Sequence, residues 1–251
     1  MRMKKIGLVG GTGPESTLMY YKELNSRIDR LTGEKSMPDI AIESVDFRRA
    51  WNYVCEKQYD KLSDYLAEKV NNLLRVGCEI VSLTAVTMHV VLEEIEKKIA
   101  EPSDDAATTS TSTGVANSGA VQLVSIPKAV SEELVARGIK KVGLLGTIFT
   151  MEQDYMKKDL ISAGIQVIEP QKQERELVAK RIFEELEKGI VKEATWKEFV
   201  AIINKMAERD GIEGIILGCT ELPLLLNSEN CPVACFDAVE LHIKKLIQLA
   251  V

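Results

Sequence analysis

A chain of 251 residues has room for one large or two smaller α/β domains. Its 45% hydrophobic and 28% charged residues are the make-up of a globular enzyme, and a net charge of −6 argues against a nucleic-acid footprint. No apolar run approaches the roughly 18 residues of a membrane span, and the run after the basic start Met1–Lys5 breaks at once at Gly10-Gly11, against a signal peptide.

Lys4 to Val9 reads as a first strand, followed by Gly10-Gly11-Thr12-Gly13-Pro14 and a helix over Glu15 to Arg30. Strand, glycine turn and helix start make an anion site, because the first helical N–H groups are unpaired. It is not a dinucleotide fingerprint, since Ser16 stands where the third glycine should fall, and no P-loop lysine is present. A carboxylate fits better than a pyrophosphate. Asp39 to Val45 reads as a strand leading into Asp46-Phe47-Arg48-Arg49. Lys61 to Leu74 reads as a helix, Glu79 to Leu83 as a strand ending in Thr84-Ala85-Val86-Thr87-Met88-His89, and Val90 to Ile99 as a helix. Glu101 to Gly119 has no period and is rich in Ser, Thr, Ala, Gly and Asp; it reads as a flexible surface insertion, dispensable for folding.

The second half restarts with a strand over Val121 to Ile126 and a helix from Ala129 to Arg137. Lys141 to Leu145 is a strand ending in Gly146-Thr147, and a helix follows from Met151 to Ala163. Gln166 to Ile168 is a short strand; Glu174 to Glu187 and Trp196 to Arg209 are helices. A buried strand, Ile215 to Leu217, then ends in Gly218-Cys219-Thr220-Glu221. Val233 to Phe236 is a last strand and Ala238 to Leu249 a last helix. This alternation predicts α/β architecture with parallel sheets flanked by helices. The domain boundaries expected are 1–100 plus 215–251 for the first domain, 121–214 for the second and 101–120 for the insertion.

Two segments recur across the halves. Lys4-Lys5-Ile6-Gly7-Leu8-Val9-Gly10 matches Lys140-Lys141-Val142-Gly143-Leu144-Leu145-Gly146, with Lys4 and Lys140 standing 136 positions apart. Arg75-Val-Gly77-Cys-Glu79 matches Arg209-Asp-Gly211-Ile-Glu213, 134 positions apart. Two matches in order suggest a duplicated unit. Two such domains facing each other would form a cleft at the carboxyl ends of their strands. Counting from the shared glutamates, Ala85 aligns with Cys219, Val86 with Thr220 and Thr87 with Glu221. Cys219 at a strand end is placed for chemistry, although a buried cysteine is also an ordinary structural residue.

The five cysteines are odd in number and irregular in spacing, which suits a reduced, cytoplasmic setting. Cys231-Pro-Val-Ala-Cys235 is not CxxC spacing and the chain has two histidines, so no metal site is expected.

Together, Ile6-Gly7-Leu8-Val9-Gly10-Gly11-Thr12-Gly13-Pro14, Thr87-Met88-His89, Gly146-Thr147 and Gly218-Cys219-Thr220-Glu221 resemble the cofactor-independent aspartate/glutamate racemase family, over nearly the whole chain except Glu101 to Gly119. The resemblance implies two pseudo-symmetric α/β domains with the active site between them. It also implies two cysteines, one per domain, that exchange the α-proton of an acidic amino acid without pyridoxal phosphate or any other cofactor. Removal from one face and return to the other needs a base opposite an acid. This sequence departs from the pattern: where the family reads Cys-Asn-Thr, or Thr-Asn-Thr in some members, it reads Ala85-Val86-Thr87. Cys219 is then the surviving acid/base, with Thr84 as a displaced hydroxyl. Gly11, Thr12, Ala85, Val86, Thr87, Thr147, Thr220 and Glu221 would surround the substrate. Arg48, Arg49 and Arg175 could reach its side-chain carboxylate, though each also reads as a solvated charge. His89 reads as a structural residue at a helix start.

Three readings follow: a racemase of aspartate or glutamate, in which activity could be one-sided; a single-thiol isomerase of the same superfamily; and a non-catalytic dicarboxylate-binding protein. The expected partner is a small molecule, with neither nucleic acid nor membrane. The oligomeric state is left open, a homodimer included.

Overall fold

The computed structural model describes residues 2–100 and 122–251; the expected insertion at 101–120 lies outside the described residues. The chain divides into two compact units. The first, 1–124 with 245–251, holds β1 (Ile6–Gly10), α1 (Pro14–Leu31), β2 (Ile40–Ser44), α2 (Phe47–Cys55) and α3 (Tyr59–Arg75). It continues with β3 (Ile80–Leu83), a 3-10 helix at Val86–Val91, α4 (Leu92–Ala100) and β4 (Gln122–Val124). The second, 125–244, holds α5 (Ile126–Ala136), β5 (Lys141–Leu145), α6 (Ile148–Glu152), α7 (Lys158–Ser162), β6 (Gln166–Ile168) and α8 (Lys172–Glu184). After a 3-10 turn at Leu186–Lys188 come α9 (Glu193–Asp210), β7 (Gly214–Leu217), a 3-10 turn at Leu222–Leu224 and β8 (Ala234–Asp237). The last helix, α10 (Ala238–Ala250), begins in the second unit and ends in the first.

Each unit is one four-stranded parallel sheet, ordered β2-β1-β3-β4 in the first and β6-β5-β7-β8 in the second. The two orders are the same when strands are numbered within each unit. Parallel strands joined by helical crossovers are covered on both faces, so β1, β3 and β7 are buried throughout. In the first unit Tyr20, Leu24 and Ile28 of α1 and Leu62, Leu66, Val70 and Leu73 of α3 are wholly or almost wholly buried. In the second, Val178 and Ile182 of α8 and Phe199, Ile203 and Met206 of α9 pack with Leu145, Ile215 and Leu217. Full burial of such a side chain contributes about 1.5–3 kcal/mol.

The expected domain boundaries need moving. Residues 215–244 fall with the second unit, because β7 and β8 pair into the sheet of β5, and only 245–251 return to the first; 122–124, expected in the second domain, fall with the first because β4 pairs with β3. The expected helix over 151–163 is two short helices. Gln153 is extended (φ −79°, ψ 157°), and the Lys157 ammonium fills the gap, donating to the carbonyls of Met151 (3.0 Å) and Glu152 (3.3 Å). Those are orphan carbonyls of a helix end, where a cation is favoured. The helix α2, unassigned from sequence, is capped by Asp46, whose carboxylate accepts from the N–H groups of Arg48 (2.9 Å) and Arg49 (3.2 Å).

The repeat is structural. Glu79 N–H donates to Lys5 O (2.9 Å) and Glu213 N–H to Lys141 O (2.8 Å). The Glu79 carboxylate accepts from Lys5 N (3.4 Å), and that of Glu213 from Lys140 N and Lys141 N (both 2.9 Å). Four residues further, Val9 pairs with Leu83 and Leu145 with Leu217. One step beyond, Thr84 N–H donates to Val9 O (3.1 Å) and Gly218 N–H to Leu145 O (2.8 Å). Thr84 is therefore the counterpart of Gly218, and Ala85 of Cys219.

Candidate active site

In each sheet the strand order reverses between the first and third strands of the unit, β1 and β3 or β5 and β7. Ligands of open α/β sheets bind beyond the carboxyl ends at such a switch point. In the first unit that point gathers Gly10-Gly11-Thr12 and Thr84-Ala85; in the second, Gly146-Thr147 and Gly218-Cys219-Thr220.

In the first unit the turn is tied down by one threonine that sequence reasoning missed. Thr17 Oγ1 accepts from Gly11 N–H (2.9 Å) and lies 3.3 Å from Thr84 Oγ1. The fully buried Thr84 hydroxyl also donates to Val9 O (3.3 Å). A Cβ on Gly10 would lie 2.5 Å from Thr17 Cγ2, so only glycine lets the helix come this close. Thr150 repeats the device in the second unit: a Cβ on Gly146 or Gly218 would lie 3.0 Å from its side chain. Its hydroxyl lies 3.1 Å from Thr147 Oγ1 and 3.0 Å from Tyr155 Oη. No sequence signal marks Thr17 or Thr150, because they follow their glycines at different spacings.

Cys219 is partly buried, and its thiol donates to Glu221 Oε2 at 2.7 Å. Thr220 Oγ1 donates to the other carboxylate oxygen, also at 2.7 Å. Burial first, then the charge of Glu221 and its hydrogen bond, push the thiol well above its ordinary range, so at neutral pH the resting group is the thiol. Glu187 adds to that push from the 3-10 turn after α8. Its own carboxyl is raised by burial and by the charge of Glu221. Nothing in the sequence pointed to Glu187, which is brought to the thiol only by the fold.

Glu221→Gln keeps an acceptor beside the thiol and removes the charge. The Cys219 pKa is expected to fall part of the way back, because burial remains. Ultraviolet thiolate titration, with Cys219→Ala as the blank for the other thiols, measures it; an unchanged titration would show that burial alone sets the shift.

The remaining expected residues divide. Thr12 and Val86 are buried at the first switch point, while Ala85 and Thr87 are partly exposed there. Arg48 and Arg49 are exposed on the first turn of α2, beyond β2. The Arg49 guanidinium lies over the Tyr65 ring (4.3 Å) and donates to Tyr53 Oη (3.1 Å). Arg175 is bound to Glu169 (3.0 Å), Pro170 O (3.3 Å) and Glu152 (3.5 Å), beside β6 rather than at the β5/β7 switch point. His89 is buried, its Nδ1 3.0 Å from Ala85 O, and burial lowers its pKa to about 4. It is neutral at physiological pH and supplies no ready proton. Among the described residues no cluster of three or more His, Cys, Asp or Glu could hold a metal, and no helix is long and apolar enough to cross a membrane.

A family model described as Asp/Glu/hydantoin racemase matches residues 9–246. A crystal structure from Yersinia pestis, provisionally assigned as an Asp/Glu racemase, is 31% identical, covers 99% of both chains and superposes with a TM-score of 0.87. An aspartate racemase homologue from Pyrococcus horikoshii OT3 is 37% identical over 99% of both chains, with a TM-score of 0.82. The aspartate racemase of Picrophilus torridus shares the fold at 17% identity, with a TM-score of 0.70 over 98% of this chain and 94% of that one.

Proposed function

Since this chain belongs to the Asp/Glu/hydantoin racemase family, we propose that it exchanges the α-proton of an acidic amino acid, aspartate or glutamate, with Cys219 as the acid/base and no cofactor. The observation that carries this reading is the Cys219–Glu221 pair at a topological switch point. Glu221 takes the thiol proton, the thiolate takes the α-proton, and reversal of these steps returns a proton to carbon. Charge developing on the substrate carboxylate needs donors fixed in advance, and the hydroxyl of Thr147, beyond β5, is the candidate for that role. Glu187 and Glu221 suit the α-ammonium of an amino acid. Its positive charge beside them would lower the thiol pKa on binding, so that the base forms when substrate is present.

The first unit supplies no equivalent. Ala85 holds the position of Cys219 and has no proton to give, and Val86 cannot donate a hydrogen bond. Thr84 enters the proposal as a positioning residue, since its hydroxyl is occupied by Val9 O and Thr17. Exchange is therefore one-sided, with slow inversion. Ala85 at that position favours the second and third readings, a single-thiol isomerase and a non-catalytic dicarboxylate-binding protein.

Calorimetric titration with aspartate, glutamate, neutral amino acids and succinate, followed by chiral product analysis, is the test. Acidic amino acids are expected to bind best, ahead of succinate, which lacks the ammonium. Preference for neutral amino acids would remove the acidic substrate. Tight binding without exchange or turnover would leave the binding protein.

A further inference from the structure

Beyond β5 a chain of three hydroxyls runs inward from Thr147. Thr147 Oγ1 lies 3.1 Å from Thr150 Oγ1, and Thr150 Oγ1 lies 3.0 Å from Tyr155 Oη. Thr147 is partly exposed, whereas Thr150 and Tyr155 are buried. The Thr150 side chain lies beside Gly146 and Gly218, so the chain reaches from the interior of the second unit to its β5/β7 switch point. The break between α6 and α7 makes this possible. In one continuous helix residues 150 and 155 would point about 140° apart, at about 100° per residue. The extended Gln153 ends α6 instead, and Tyr155, in the turn before α7, comes back to Thr150 with its ring 5.9 Å from that of Phe149.

Each hydroxyl has one proton and two lone pairs. Three hydroxyls joined by two contacts therefore keep one proton to give elsewhere. In the first unit the corresponding protons end on the backbone, where Thr17 O–H donates to Gly13 O (3.4 Å) and Thr84 O–H to Val9 O (3.3 Å). Among the described residues neither Thr147 nor Thr150 donates its hydroxyl to a backbone carbonyl. Thr147 Oγ1 also accepts the Thr150 N–H (3.2 Å). Once it accepts the Thr150 hydroxyl as well, both its lone pairs are used and its own O–H can only point away from the chain.

We propose, on the reading that this strand end receives the substrate carboxylate, that Thr150 and Tyr155 are positioning residues for it. The Tyr155 phenol donates to Thr150, Thr150 donates to Thr147, and the Thr147 hydroxyl is left as a fixed donor at the partly exposed end. The direction follows from acidity and charge. A phenol is more acidic than an aliphatic alcohol and is the better donor at the buried end. A carboxylate only accepts, so it draws the outer proton toward itself, and each bond in the chain strengthens the next.

Aspartate, glutamate, alanine and succinate are titrated calorimetrically into the full-length protein and its variants. Tyr155→Phe is expected to weaken carboxylate binding about 3-fold to 10-fold, the net contribution of one hydrogen bond. In a Thr147→Val background the same change should have no effect, because no hydroxyl is left for Tyr155 to orient. The same silence is expected in Thr150→Val, which breaks the chain but keeps the Thr147 cap, whereas Thr150→Ser should bind as the unmodified protein does. A merely structural tyrosine would weaken binding equally in every background. Unchanged or tighter binding in Tyr155→Phe, or equal losses with and without Thr147, would overturn the proposal, as would failure of the unmodified protein to bind any of these carboxylates. Preference for alanine, or undiminished exchange in Cys219→Ala, would remove the proposed reaction and leave this test standing, because every amino acid carries a carboxylate.

Discussion

Cys219→Ala is expected to lower α-proton exchange by on the order of 10²–10⁴-fold, the usual contribution of a general acid–base group. No other cysteine lies at a strand-end switch point: Cys55 ends α2, Cys78 precedes β3, and Cys231 and Cys235 lie before and on β8. The assay follows deuterium entry at Cα of each enantiomer of aspartate and glutamate in heavy water. The unmodified protein should label one enantiomer with retention and invert it slowly, because Ala85 stands at the position equivalent to Cys219. Ala85→Cys, with Val86→Asn to restore a donor, should then raise inversion while leaving the one-sided exchange in place. Undiminished exchange in Cys219→Ala would end the thiol mechanism. Fast symmetric racemisation by the unmodified protein would end the one-sided part of it and point to water or another group as the second acid.

Gly11→Ala should cause a large loss of stability. Gly11 has φ +86°, and a Cβ there would lie 2.6 Å from both Ser44 Oγ and Val45 O. A left-handed backbone costs an L-residue about 1–2 kcal/mol, and forcing backbone apart in a packed site costs about 1–3 more. The expected total is about 2–5 kcal/mol. Gly33→Ala separates the two effects, because Gly33 also has positive φ (+64°) but nothing within 4 Å of an added Cβ. Denaturant unfolding of both variants is the measurement. Equal losses would show that the backbone of β2 yields to Gly11 and that the close packing of this turn is not what fixes it.

Local sequence determined a great deal here. All eight strands were legible, the inner ones, β1, β3, β5 and β7, most plainly, because a parallel strand covered on both faces must be a short continuous apolar run ended by turn residues. The duplication was legible as well: the glutamates at 79 and 213 recur because each serves the start of its neighbouring strand, so spacing alone aligned Ala85 with Cys219. Chain order could not assign strands to sheets. Which sheet β7 joins depends on pairing with β5, some seventy residues away in the chain, and that moved residues 215–244 into the second unit. The break between α6 and α7 was hidden as well, since Lys157 turns back onto the carbonyls of Met151 and Glu152 and also meets Glu169 just past the next strand. The state of the thiol was hidden most completely. A cysteine carries no record of its pKa; burial, Glu221 and the distant Glu187 set it, and the fold alone brings Glu187 near. Sequence named the residue proposed as the acid/base, and tertiary structure raised its pKa, because electrostatic shifts depend on distance in space and not along the chain.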